Sequence, residues 1–520
     1  MKSIPSLQLF VALYLTAIRL AFCVPLRGDS RANPWAPNFG PQVDESGPEF
    51  SYIAILKESE SRPWEEILVD MGWDTKILES APSASTASYH HFKTPSGRRI
   101  TAAGDDSLRV LIMNMTEIES ERIKSLEYVE MVEKGAKLKL PKEPPAPAAR
   151  DGDAGPATAL TPPKAVPLPR CRSAGFTADP PFIEQCGAPW GLQRISTREK
   201  VEDRPVQDPF QPYVLVFPIS EEMTFSYKYH ENAGRGADVY IIDTGLNPEH
   251  EDFEGRAQRY IWTDEGGEDF NGHGTWVAGI AGSKTFGVAK AANIFGVPGG
   301  IPGSRDGDLD MASIMASFAA IISSHNRRMK GPNFAGSVIN MSFGFDSDAE
   351  PSYFTWGMKS LVRAGIHIAT SAGNDDRDAC NNYPSSYTKI LPVFSVGASN
   401  MIDRRADFSN WGPCVDIYAP GENIIATGFK EARFIGDGTS AAAPFVAGMI
   451  AYELSLSSEF KLDPAGMKKY ILGKALRGMI DVGKDPKEAK DLLGGEKAPE
   501  ILLLNNGVPD QSRHLPQLSG

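Results

Sequence analysis

Basic blocks, cysteine pairs of the Cys-x-x-Cys type and internal repeats are all missing from this chain of 520 residues. Lys and Arg total 53 against 66 Asp and Glu, a net charge of −13. A nucleic-acid binder needs a basic face, and an anionic membrane or phosphate partner needs a cationic cluster, so both classes lose support. Cysteine is scarce, five in all. None is spaced as a zinc-ligand pair, and five are too few and too scattered for a disulfide scaffold. No apolar stretch beyond the first two dozen residues is long enough to cross a bilayer. What remains is a globular composition, 41% apolar and 23% charged, in a length that suits two or three folded units.

The N-terminus sets the expected compartment. Lys2 precedes an apolar run from Leu7 to Ile18, followed by small residues ending near Ala21 and Cys23. That is the layout of a secretory signal peptide over 1–23. As a membrane anchor the run is too short for a hydrocarbon core of ~30 Å, and Arg19 interrupts it. The expectation is a secreted, soluble and monomeric mature chain with no membrane contact after signal removal; delivery to a vacuole would begin with the same signal. Losing Cys23 leaves Cys171, Cys186, Cys380 and Cys414, an even number that suggests two bridges.

Residues 24–49 are rich in Pro, Gly and polar residues and are read as unstructured. A small α+β unit follows over 50–140. Phe50 to Leu56, Arg109 to Met113 and Val129 to Glu133 read as strands, Pro63 to Met71 as a helix, and Thr116-Glu-Ile-Glu119 as a capping box that opens a second helix. Pro and Ala dominate from 141 to 170, the texture of an extended linker. Beyond it, strands alternate with helical patterns: Ala237–Ile242, His273–Gly282, a helix from Asp308 to His325, Ser337–Met341, a helix from Tyr353 to Ala364, and Ile366–Ser371. Such alternation predicts an α/β fold with a mostly parallel sheet covered by helices on both faces.

Four segments place reactive side chains where strands end or helices begin. Ala237-Asp-Val-Tyr-Ile-Ile-Asp243-Thr-Gly245 puts one carboxylate at the C-terminal edge of a buried strand, where open α/β sheets bind ligands; by itself it reads better as a turn-forming Asp. Asn271-Gly-His273-Gly-Thr275 sets a histidine at a helix start between glycines, which would give a substrate backbone room to approach the ring. Gly438-Thr-Ser440-Ala-Ala-Ala-Pro444 puts a serine in the first turn of an apolar helix, where the dipole favours developing negative charge. Thr439 is expected to cap that helix, and Pro444 to sit where first-turn amides have no partner to lose. Ile366 to Asn374 is a strand ending in small residues and one carboxamide able to donate to an oxyanion.

Taken together, Asp243-Thr-Gly, Asn271-Gly-His-Gly-Thr and Gly438-Thr-Ser resemble the motifs of the subtilisin-like serine peptidases, in their chain order Asp, His, Ser. The branch looks proteinase K-like. The resemblance spans about Ala188 to Gly507, from Ala188-Pro-Trp-Gly-Leu-Gln-Arg-Ile-Ser to Ala498-Pro-Glu-Ile-Leu-Leu-Leu-Asn-Asn-Gly507. It implies an organisation of signal peptide 1–23, pro-segment 24–49, inhibitory propeptide domain 50–140, linker and mature N-terminal segment 141–185, peptidase domain 186–507 and tail 508–520.

By resemblance, Ser440 is the nucleophile, His273 the general base and then acid, Asp243 the group that orients the imidazole, and Asn374 the oxyanion donor. Ser342 and Gly344 belong to the strand that would pair with extended substrate, and Ser371, Ala372 and Gly373 to the opposite wall of the main specificity pocket. The expected partners are polypeptide substrates and the chain's own propeptide as an intramolecular inhibitor. No cofactor is expected in catalysis. Asp416 matches a family position that binds structural calcium with carbonyls near Leu391 and Val393. By the same resemblance Cys380–Cys414 is a bridged pair, and Cys171–Cys186 would close a small loop at the mature N-terminus. Asn114 heads a glycosylation sequon in the propeptide, whereas Asn340-Met-Ser342 should be hidden.

Several residues depart from the family pattern. Ala441 and Phe445 stand where Met and His are common, implying looser packing behind the pocket. Phe345 replaces a usual Gly, implying a narrower subsite. The stretches 197–225 and 295–303 also differ. The implied activity is a broad secreted endopeptidase made as a self-processing zymogen. A narrow processing protease and a silent binding protein of the same fold are the alternatives, the last being disfavoured by the intact Asp, His and Ser.

Overall fold

The computed structural model describes residues 48–73, 76–80, 89–94, 97–105, 107–138, 182–201, 223, 225–260, 267–300, 309–346, 351–430, 432–481 and 501–508. The expected signal peptide and nearly all of the pro-segment lie outside these residues, as do 139–181, 202–222, 301–308 and the tail beyond 508.

The small N-terminal unit runs β1 (Phe50–Leu56), α1 (Trp64–Asp70), β2 (Lys76–Ser80), β3 (Tyr89–Lys93), β4 (Arg99–Ala103), β5 (Val110–Met115), α2 (Glu117–Lys124) and β6 (Val129–Lys134), followed by the short β7 (Lys137–Leu138). Its six strands form an antiparallel sheet in the order β2-β3-β4-β5-β1-β6. The capping box forms as read: the Thr116 hydroxyl accepts from the Glu119 amide, and the Glu119 carboxylate accepts from the Thr116 amide. From Tyr52 to Leu56 β1 is apolar because both of its faces are covered. Tyr52, Ala54 and Leu56 pack with Trp64, Ile67 and Ile123 of this unit's own helices, while the alternate residues Ile53 and Ile55 pack outward into the core of the larger domain.

The larger domain runs β8 (Phe182–Ala188), α3 (Trp190–Ser196), β9 (Phe225–His230), β10 (Ala237–Asp243), β11 (Ala257–Arg259), α4 (His273–Gly282), β12 (Asn293–Pro298), β13 (Leu309–Asp310) and α5 (Met311–Met329). It continues through β14 (Gly336–Met341), β15 (Phe345–Asp346), α6 (Ser352–Arg363), β16 (His367–Ser371), β17 (Asn382–Tyr383), β18 (Phe394–Ser399), β19 (Ile417–Pro420), β20 (Ile424–Ala426) and β21 (Phe434–Gly436). It closes with α7 (Thr439–Leu456), α8 (Pro464–Lys474), β22 (Leu476–Arg477) and β23 (Leu502–Leu503). Nine strands form one sheet in the order β11-β12-β10-β14-β16-β18-β19-β23-β22. Every pairing from β11 to β23 is parallel, and β22 runs antiparallel at the edge.

Strand alternation divides the core in two. Val239 and Ile241 of β10 join Val277 and Ile280 of α4 and Val446 of α7 on one face. Tyr240 and Ile242 join Ile314 and Phe318 of α5 and Leu361 of α6 on the other. The predicted helix from Asp308 begins three residues later, because Leu309 and Asp310 form β13 and the Asp310 carboxylate caps α5 by accepting from the Ser313 amide at 3.0 Å. The expected linker also ends early: β8 starts at Phe182 and pairs antiparallel with β9. Among the described residues no helix is long and apolar enough to cross a membrane.

Candidate active site

β10 delivers Asp243 to the C-terminal edge of the sheet, where its side chain is buried. Gly272 precedes α4 with φ 99°, a left-handed backbone that a side chain would strain. A Cβ on Gly274 would lie 2.2 Å from the Gly245 carbonyl oxygen and 3.2 Å from Asp243 Cβ. Gly274 therefore serves the tight seating of α4 on the Asp243-Thr-Gly245 turn, and Gly272 the left-handed entry into the helix. With α4 seated, His273 Nδ1 stands 2.6 Å from Asp243 Oδ1, which also accepts from the Thr244 amide at 2.8 Å. Nδ1 carries the proton in this contact because a carboxylate offers only acceptors, which leaves Nε2 as the basic nitrogen of the neutral ring. Trp276, one helical turn on, meets the imidazole edge-to-face at 5.9 Å.

Ser440 is the second residue of α7, and the N-cap is Gly438 with φ 147° and no capping side chain. Thr439 is thus not the cap expected from sequence. Its hydroxyl donates to Asn374 Oδ1 at 2.7 Å and accepts from the Gly373 amide at 3.1 Å, tying the helix start to the end of β16. The Thr439 amide donates to the same Asn374 oxygen at 2.9 Å. With Oδ1 committed, Nδ2 turns toward Gly438 and Ser440: a Cβ on Gly438 would lie 3.4 Å from Asn374 Nδ2 and 3.6 Å from Ser440 Cβ.

Pro444 lies beyond the first turn, contrary to the sequence expectation, and its missing amide would have bonded the Ser440 carbonyl. Ser342 supplies the donor instead. Its hydroxyl donates to the Ser440 carbonyl at 2.8 Å, while the Ser440 hydroxyl donates to the Ser342 carbonyl at 3.2 Å.

The two expected pocket walls meet at buried carboxamides. A Cβ on Gly344 would strike the Asn382 carboxamide at 2.7 Å, and one on Gly373 would strike Asn410 Nδ2 at 2.3 Å. Asn382 and Asn410 both donate to the Ala372 carbonyl, at 3.3 and 2.9 Å. Asn410 Oδ1 accepts from the amides of Asp375 and Arg377, holding the loop that follows Asn374. Ser371 is buried and donates to the Phe343 carbonyl at 3.3 Å. The Phe345 ring is taken up by Tyr383 and Phe354, at 5.8 and 5.3 Å. Phe445 is buried and packs closely on α3, reaching within 2.7 Å of where a Gly191 Cβ would stand. Burial pushes the Asp437 carboxyl up, and burial together with the charge of Asp437 does the same to Glu422.

Cys380 and Cys414 are bonded, as the resemblance implied. Cys186 is disulfide-bonded, and its expected partner Cys171 lies outside the described residues. Asn114 is exposed on β5, while Asn340 is fully buried in β14, as expected of a hidden sequon.

The expected calcium position already contains a cation. Lys468 Nζ stands 2.8 Å from Asp416 Oδ1, 2.7 Å from the Val393 carbonyl and 2.5 Å from Thr388 Oγ1. Asp416 Oδ2 is taken by the Thr388 hydroxyl and the Ser395 amide, and the Leu391 carbonyl by the Val393 amide. A calcium ion takes six to eight oxygens. Here one carboxylate is shared with an ammonium, so these residues do not fit the ion.

Sequence reasoning missed Asp269, Asn382, Asn410 and Lys468. Asp269, Asn410 and Lys468 bond partners 25 or more residues away, and a Cβ on the distant Gly344 would strike Asn382. Asp269 alone stood near a visible signal, two residues before Asn271-Gly-His273.

A buried carboxylate–imidazole pair and a serine at a helix start, on one edge of a parallel sheet, define an α/β protein with the parts of a serine hydrolase. The profile of the subtilase family matches residues 234–501, and the chain belongs to that family. It is 37% identical over 324 residues to Subtilisin-like protease 3 of Saccharomyces cerevisiae, covering 60% of this chain and 62% of that protein. It is 38% identical over 350 residues to Alkaline protease 2 of Aspergillus fumigatus, covering 64% and 62%. Cerevisin of Saccharomyces cerevisiae is 36% identical over 349 residues, covering 64% and 49%. The chain thus spans less than two thirds of the length of these relatives. Among solved structures, a cold-adapted subtilisin-like serine proteinase matches 62% of this chain and all of its own, at 29% identity and a TM-score of 0.47.

Proposed function

We propose that this chain is a serine endopeptidase that cleaves polypeptides through an acyl-enzyme on Ser440. The observation that carries the reading is the buried 2.6 Å contact between Asp243 and His273 Nδ1. It orients the ring, fixes the tautomer and supports the positive charge the ring acquires. His273 Nε2 takes the Ser440 proton as Oγ attacks the scissile carbonyl. Asn374 Nδ2 and the Ser440 amide, a first-turn N–H with no intrahelical partner, receive the oxyanion. His273 then protonates the leaving amine, and water repeats the sequence to release the acyl group. Extended substrate would lie along Ser342 to Gly344, with Ser371 to Gly373 as the facing wall.

The small domain serves in this reading as an inhibitory propeptide, and the branch is proteinase K-like. Its support is the docking described above together with the antiparallel pairing of β7 with β13, immediately before α5. The chain is a secreted or vacuolar zymogen in the same reading. Lys468, not calcium, neutralises Asp416.

Peptide hydrolysis by purified wild type, Ser440→Ala and His273→Ala tests this. Wild type should turn over peptides and both variants should fall by ~10⁴ or more. A Ser440→Ala protein with wild-type turnover would refute the assignment.

A further inference from the structure

We propose that Asp269 is a positioning residue for the Asp243–His273 pair, an inference that rests on the catalytic reading above. Its side chain is fully buried and lies between the two elements that carry the pair. Both oxygens are used. Oδ1 accepts from the Thr244 hydroxyl and from the Gly272 amide, each at 2.8 Å. Oδ2 accepts from the Thr275 amide at 2.8 Å and from the Thr275 hydroxyl at 2.6 Å. Charge-assisted bonds of this kind are roughly twice as strong as neutral ones.

These partners flank the reacting groups. Thr244 follows Asp243, and its amide donates to Asp243 Oδ1. Gly272 precedes His273 and Thr275 follows it by two. The Thr244 hydroxyl, aimed by its bond to Asp269, accepts from the Gly274 amide at 3.0 Å. The carboxylate therefore joins the end of β10 to the start of α4 on both sides of the catalytic contact. It also replaces the cap that Gly272 cannot supply, placing a negative charge at the positive end of α4. A Cβ on Gly245 would lie 2.8 Å from the Asp269 backbone, so the turn leaves no slack on that side.

Asp269→Asn keeps the volume but offers an amide donor where the carboxylate accepted one. The Asp243–His273 geometry should loosen while substrate contacts are untouched. The expected result is a fall in kcat of about 10- to 100-fold, the scale of an ångström-level misplacement, with KM within about twofold. The far-downfield NMR signal of the Nδ1 proton between His273 and Asp243 should broaden or disappear. Thr244→Val should reproduce the kcat loss, Thr244→Ser should hold the rate within about threefold of wild type, and Asp269→Asn with Thr244→Val together should lose little more than either alone.

Rates are normalised to folded protein, and Thr244→Val decides the matter should Asp269→Asn not fold. Wild-type kcat in Asp269→Asn, a loss fully explained by unfolded protein, or full activity in Thr244→Val would overturn the proposal. Absence of peptide hydrolysis in wild type would instead overturn the catalytic reading beneath it.

Discussion

Pro444 and Ser342 solve one problem between them. The proline interrupts the ladder of α7 one turn after the serine that must stay fixed, and the Ser342 hydroxyl replaces the lost donor to the Ser440 carbonyl. Ser342→Ala would leave that buried carbonyl without its replacement, at a cost of about 1–3 kcal/mol. Urea unfolding should show the loss. Asn374 works on the other side of the serine, and Asn374→Ala should lower kcat by ~10²–10³, as loss of such a donor does in subtilisin, with little change in KM. Far from the site, burial and then the nearby Lys461 charge hold His325 at about 4. Burial holds His367 at about 4 as well. The unfolded chain takes up these protons near pH 6.5, while the folded chain refuses them until pH 4. Stability is therefore complete above pH 6.5 and declines as pH falls to 4, by about 3 kcal/mol for each histidine. Unfolding free energies at pH 7 and pH 4.5 should differ accordingly, and His325→Gln should flatten the profile; an equal stability at both pH values would contradict the buried neutral rings.

Elements with a clear period and a local stop signal were legible in the sequence. β1 and α4 occupy the expected residues, and the capping box at Thr116 forms. The catalytic candidates were legible too, because Asp243, His273, Asn374 and Ser440 each sit where a strand ends or a helix begins. Their supports were not. Two-residue strands such as β7, β13, β15 and β17 exist only through non-local pairing, and Asn382 and Asn410 read as ordinary turn residues. Lys468 sits on α8, some fifty residues beyond Asp416, and looks like any solvated helix lysine. It ties α8 to β18 and β19 through Asp416 and Val393. A chelator should leave the melting temperature unchanged, added calcium should not raise it, and Lys468→Met should lower it by exposing an unpaired, half-buried carboxylate. A chelator-sensitive melting temperature in wild type would show that the ion, not the lysine, holds this corner.

At the scale of the whole molecule, the small domain and the larger one share apolar core. Ile53, Ile55, Leu108 and Val110 pack with α5 and its neighbours, each worth about 1.5–3 kcal/mol relative to exposure. Asn326 Nδ2 donates to the Ser107 hydroxyl at 3.1 Å, the Ser352 backbone amide to the Glu133 carboxylate at 3.1 Å, and Arg363 pairs with Glu58 at 2.6 Å. The Met311 amide donates to the Ala136 carbonyl at 3.0 Å, beside the β7–β13 pairing. In the proposed zymogen this docking keeps the cut intramolecular, so maturation should not depend on dilution. Ser440→Ala, which removes the nucleophile and almost no volume, should then accumulate as an uncut precursor. Maturation of that variant at the normal site and rate would assign the cut to another protease.

The most direct test is to react the purified wild-type protein with a fluorophosphonate and map the adduct by peptide mass. The phosphonyl group should be found on Ser440 alone, with none in Ser440→Ala and strongly slowed labelling in His273→Ala, since an activated serine needs its base. An adduct on another residue, or no adduct on wild type that has lost its small domain, would contradict a Ser440 nucleophile served by His273 and Asp243.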